Sequence, residues 1–136
     1  MRPVNVASDQ WQPVPAWKTL LVLAVSASAA ASTLALPNTA ARATVAAVAL
    51  IVAVVLAVAS TRRTVRESGD QRISWLRGPA VRRRDVDLVQ SASGSAVIVV
   101  GFALNGVPGQ YWWVALAVVA WVLPPLVLQA RHNRRI

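Results

Sequence analysis

The residues best equipped for chemistry stand together in Arg82-Arg83-Arg84-Asp85-Val86-Asp87. Three consecutive guanidinium groups offer forked N–H donors that match phosphate oxygens. Asp85 and Asp87 could hold a cationic substrate, but Arg82 and Arg84 are nearer partners for them. Nothing elsewhere completes a catalytic set. The one histidine, His132, sits among Arg131, Arg134 and Arg135, where a solvated ring is expected rather than a ligand or a general base. There is no cysteine, no His/Asp/Glu grouping at metal-ligand spacing and no glycine-rich phosphate loop. Catalysis within a membrane needs ionisable side chains inside the apolar segments, and the interiors of the segments described next have none. The sequence therefore predicts no enzyme, no cofactor and no metal.

What, then, positions the arginines? The chain has 136 residues, 56% of them hydrophobic and 14% charged. That is too little charge to cover a small soluble body, for which about 25% is usual. The apolar residues fall in four blocks, at residues 17–36, 43–59, 88–104 and 111–130. A bilayer core about 30 Å thick takes roughly 20 helical residues, with about 17 as the lower end. None of the blocks carries internal turn chemistry, and in lipid a helix satisfies every backbone group within one segment. The third block is the weakest, because Gln90, Ser91 and Ser93 dilute its start. Pro37 and Asn38 mark a turn between the first two blocks, with Asn38 or Thr39 able to cap the next helix. Asn105, Gly106, Pro108 and Gly109 mark another between the last two.

These signals give an all-α membrane protein with four transmembrane helices, arranged as two helical hairpins joined by a basic cytoplasmic loop. Its parts are an N-terminal arm (residues 1–16), hairpin one (17–60), the basic loop (61–87), hairpin two (88–130) and a basic tail (131–136). The arm is too long for a secretory n-region and contains Asp9, Pro13 and Pro15. Residues 17–36 are thus expected to stay as a span despite the small residues at 25–32.

Charge asymmetry then explains the arginines. The long connection holds eight arginines against four acids, and the tail holds three more. Four spans put arm, loop and tail on one side, and those segments, with Lys18 at the start of the first span, carry thirteen of the fourteen basic residues. The positive-inside rule places them in the cytoplasm. Arg62, Arg63, Arg66, Arg82, Arg83, Arg84, Arg131, Arg134 and Arg135 are read as topology signals that also meet anionic lipid headgroups. Nucleic-acid binding is disfavoured, since acids dilute the loop and Trp75 is its one aromatic residue. Trp17, Tyr111, Trp112 and Trp113 are read as interfacial anchors, and Trp75 as part of a short segment lying on the inner surface.

Small residues mark helix contacts, because they let backbones approach. Ser26, Ala29, Ala30 and Thr33 form one stripe of the first span, and Ser28, Ala31, Ser32 and Ala35 a second; contacts on both sides are expected. Gly94 and Gly101 suggest a close crossing of the third span. Pro124 and Pro125 are expected to bend the fourth or end its regular hydrogen bonding.

The function this implies is that of a small accessory or scaffold subunit of a bacterial cytoplasmic membrane. It would pack against a larger membrane complex or copies of itself, with both termini inside. A holin-like oligomeric pore former, phage-encoded in one version, is the alternative. A channel or carrier for a small neutral solute is the third reading, and it lacks the broken helices and midplane polar groups such sites use.

Overall fold

The computed structural model describes residues 16–73 and 84–136, without the side chains of Ala16, Thr19 and residues 84–87. These residues are all-helical: α1 (Ala16–Leu34), α2 (Thr39–Ser68), α3 (Arg84–Ala103) and α4 (Gln110–Arg135). Trp75, Arg82 and Arg83 lie outside the described residues, as does the arm before Ala16.

Local chemistry accounts for the ends. Pro37 cannot extend α1, whose last carbonyls are taken by short-range bonds from Ala35 N to Ser32 O and from Leu36 N to Thr33 O. Asn38 caps α2, its Oδ1 accepting from Ala41 N at 2.7 Å. Asn38→Ala is expected to lower stability by about 1 kcal/mol while Asn38→Asp keeps the cap; thermal melts of the two variants in detergent check this. Between α3 and α4 the chain turns through Gly106 (φ 80°) and Gly109 (φ 72°), a left-handed backbone that side chains resist. Gly106 N donates to Gln110 Oε1 at 2.7 Å, which closes the turn.

The basic loop differs from expectation, and the proline pair of the fourth block lies inside its helix. The basic loop is helical at both ends: α2 runs on through Arg62, Arg63 and Arg66 to Ser68, and α3 starts at Arg84. A helix satisfies its own backbone in water as in lipid, and the Arg63–Glu67 pair at 3.6 Å adds little at this exposure. α4 also continues through Pro124 and Pro125 to Arg135 without interruption. Two lost backbone bonds do not end a helix that has turns on both sides to hold it.

The helices pack across the chain order. α3 lies most extensively against α2 and then against α1, while α2 also carries α4. The sequence neighbours α1 and α2 share far less contact, and α3 touches α4 only lightly. The inner surface is made mostly of small residues, with Val99, Val100 and Leu104 at the end of α3 and Ile73 as the larger apolar side chains buried among them. Ala46, Ala53, Ala57 and Ser60 form the buried stripe of α2, Ala30 and Thr33 that of α1, and Ala117 that of α4. The large apolar side chains face outward instead: Leu20, Ile51, Val55, Ile98, Trp112, Leu116 and Leu123 are all exposed.

That arrangement is the reverse of a water-soluble core, where burial of large apolar groups drives folding. Two helices are long and apolar enough to cross a membrane, α2 and α4, and both are largely unburied. The apolar stretches of the other two, Leu20–Leu34 and Leu88–Ala103, are shorter. At 1.5 Å per residue they cover roughly 22–24 Å.

Candidate functional site

Three polar contacts tie the helices together, and each sits at a different level. The middle one is centred on Ser93, which is 1% exposed. Its Oγ donates to Ala53 O on α2 at 2.8 Å and accepts from Trp121 Nε1 on α4 at 2.6 Å. One hydroxyl thereby links three helices. Ala53, itself fully buried, has no side chain beyond Cβ, so Ser93 can reach the α2 backbone.

At one end stands Arg42. Its Nη1 donates to Asn105 O at 2.6 Å, its Nε to Leu36 O at 3.3 Å and its Nη2 to Leu34 O at 3.3 Å. The guanidinium thus joins the turn after α1 to the turn after α3. Its partners are carbonyls, and among the described residues no carboxylate pairs with it.

At the opposite end, the last turns of α4 hold the segment that follows α2. Asn133 Oδ1 accepts from Ile73 N at 2.9 Å, and its Nδ2 donates to Ile73 O at 3.0 Å. Gln129 Nε2 also reaches Ile73 O, at 3.4 Å, and His132 Nε2 donates to Gln71 O at 2.9 Å. Ile73 is buried beneath them. His132 is therefore half-buried and bonded, not the solvated tail residue expected from its arginine neighbours. Asn133→Ala removes both bonds to Ile73. At about 1.4 kcal/mol, the Ile73 amide should exchange with solvent roughly tenfold faster; hydrogen exchange followed by mass spectrometry checks it.

These contacts also fix direction. Both turns meet at Arg42, and residues 71–73 meet α4 at Asn133, so α2 and α4 run the same way and α3 runs back. Among the described residues, Lys18, Arg62, Arg63, Arg66, Arg72, Arg131, Arg134 and Arg135 then gather at one end and Arg42 lies at the other. Arg62, Arg66, Arg72, Arg131, Arg134 and Arg135 are exposed.

No family model matches the sequence, and comparison with curated proteins and with solved structures finds no match. What the site can do is read from its geometry.

The residues singled out by their types are placed as follows. Ala30 and Thr33 are buried with Ser26 and Ala29 half-buried beside them, so this stripe faces the other helices. The second stripe does not: Ser28, Ala31, Ser32 and Ala35 are exposed. The hydroxyls do not bridge helices there. Ser26 donates to Val22 O, Ser32 to Ser28 O and Thr33 to Ala30 O, each at 2.6–2.7 Å within α1. In an apolar setting the nearest free acceptor is a carbonyl one turn back. Gly94 and Gly101 mark no close crossing within this chain, since an added Cβ at either would meet nothing within 4 Å. Trp17, Tyr111, Trp112 and Trp113 are exposed at the helix starts. Ser93 and Ala53 were not distinguishable beforehand. Ser93 counted only as a polar residue diluting the third block, and the α2 alanine stripe was hidden in a segment rich in alanine throughout. The signal available was facial: Val48, Ile51, Val52 and Val55 fall off the Ala46–Ala53–Ala57–Ser60 line.

Among the described residues no three His, Asp or Glu side chains converge on a metal site. The chemistry assembled here is structural: amide, hydroxyl and guanidinium groups holding backbone carbonyls.

Proposed function

We propose that this chain is a non-catalytic, multi-pass protein of the bacterial cytoplasmic membrane, an accessory or scaffold subunit with both termini in the cytoplasm. The observation that carries this reading is the packing: the buried faces of α1, α2 and α4 are small residues, while most of the Trp, Leu, Ile and Val side chains are exposed. In water that surface would be a continuous apolar patch far beyond what monomers tolerate. In lipid it is the ordinary exterior, and small faces are what helices use to meet.

On this reading all four helices cross. The shorter stretches of α1 and α3 are met by local thinning of the bilayer and, for α1, by flanking Lys18 reaching the headgroups. The arginine-rich end faces the cytoplasm, where anionic lipids attract it with about 1 kcal/mol per basic residue near the surface. The exposed faces of α1 and α4 are left for a larger membrane partner.

Purification in mild detergent, native mass determination and identification of co-eluting chains test the role. A stoichiometric larger partner is the expected result. A large homo-oligomer alone would replace the scaffold with a pore. Orientation is tested separately, because the chain has no cysteine of its own. In intact cells Thr39→Cys should react with an impermeant maleimide, and Gln71→Cys only after the cells are opened.

A further inference from the structure

Between α2 and α4 the outer surface is not flush. A groove of about 460 Å³ opens there, lined by Ala46, Ala47 and Leu50 of α2, Leu104 beyond α3, and Leu116 and Ala120 of α4. Every side chain named is apolar, and the alanines of α2 and α4 leave the hollow between the larger Leu50, Trp113 and Leu116. Along α2 the lining runs from Ala43 to Leu50 and along α4 from Trp113 to Ala120. At 1.5 Å per residue each wall is about 10 Å long, within the roughly 15 Å that one leaflet of the hydrocarbon core provides. The Ser93–Trp121 contact lies just beyond the inner end of the groove, since Ala53 and Trp121 follow its last residues on each wall.

The outer end of the groove carries the one cation that the described residues place on that side. Arg42 immediately precedes Ala43, and it donates to the carbonyl of Asn105, which lies between the lining residues Leu104 and Val107. Its three bonds use three of the five N–H groups of a guanidinium, and all three acceptors are neutral. An apolar, single-leaflet groove with an uncompensated guanidinium at its headgroup end matches an amphiphile that has an anionic head and an alkyl tail.

We propose that this groove holds one acyl chain of a membrane phospholipid whose phosphate meets Arg42. The inference rests on the membrane reading above. A packed helix is the competing occupant, and size disfavours it. A helix is about 10 Å across with its side chains, so 460 Å³ would hold roughly one turn of it, whereas an extended alkyl chain threads the length of the groove.

The test uses the full chain, extracted in mild detergent from phosphatidylglycerol- and phosphatidylethanolamine-containing membranes and weighed by native mass spectrometry. Ala47→Phe and Ala120→Phe fill the groove from exposed positions, so folding is kept; Val55→Phe is the control on the lipid-facing surface outside it. The wild type and Val55→Phe are expected to retain one phospholipid per chain, and the groove variants to lose it at least tenfold more readily. Release of free phosphate without a lipid mass overturns the proposal, as does lipid retained equally by Ala47→Phe. So does a protein dimer that Ala47→Phe breaks, which would make the groove a helix interface. Membrane fractionation separates this from the broader reading: a wild type that stays in the membrane but carries no phospholipid sinks the lipid site alone, while a wild type found outside the membrane sinks both.

Discussion

Ser93→Leu is expected to be the most damaging single substitution in the helix bundle, lowering stability by about 3 kcal/mol. The position is 1% exposed and lies in the contact between α2 and α3, the most extensive in the bundle. Leucine puts three carbons beyond Cβ where serine has a single oxygen, and such overpacking costs typically 1–3 kcal/mol. It also removes the acceptor of Trp121 Nε1 and the donor to Ala53 O. Hydrogen bonds between membrane helices contribute about 0.6 kcal/mol each on average, with a maximum near 1.7. Steric strain is therefore the larger part of the loss. Ser93→Ala separates the two: it deletes both bonds without overfilling, and should cost about 1 kcal/mol. Reversible unfolding in mixed micelles, followed by circular dichroism, gives the ordering Leu, then Ala, then wild type. A double-mutant cycle of Ser93→Ala with Trp121→Phe should return a coupling near 0.6 kcal/mol. Equal losses for Leu and Ala would mean that α2 and α3 are not in tight contact at this level.

Much of this architecture is legible in the sequence. Long uninterrupted apolar runs without turn chemistry read as helices rather than strands, so helices near 43–59 and 111–130 follow from length and composition. The turns were legible because Pro37, Asn38, Gly106 and Gly109 each impose local geometry that few residues share. The order of packing was not legible. A hairpin connection suggests that consecutive helices touch, yet α1 lies on α3, and α2 on α3 and α4. Which small stripe meets which depends on long-range fit, and alanine-rich segments offer several equivalent faces. Gly94 and Gly101 show the same limit. A glycine pair permits a close crossing but does not recruit one, and here the space beside them stays open to whatever lies outside the chain. His132 and Asn133 were misleading for the opposite reason. They sit among arginines in a polar tail, and only the return of residues 71–73 to that tail gives them partners.

Arg42 brings local and long-range chemistry into conflict, and its replacement carries the second large effect. It lies in the first turn of α2, where the helix dipole disfavours a cation. Its side chain escapes that cost by reaching backward to the carbonyls of Leu34 and Leu36, at the end of α1, where the dipole favours positive charge. The short bond to Asn105 O then fixes the second turn to the first. Arg42→Ala should lower stability by about 2 kcal/mol, the range for hydrogen bonds to a charged group after allowing for partial exposure. Arg42→Lys should recover less than half of that. One ammonium on a flexible stem cannot serve three carbonyls that a planar fork meets together. The same unfolding assay, run in lipid-free detergent, isolates this clasp from any bound headgroup, because its three acceptors belong to the chain itself. A lysine variant as stable as the wild type would show that charge near the end of α1 matters and the forked geometry does not.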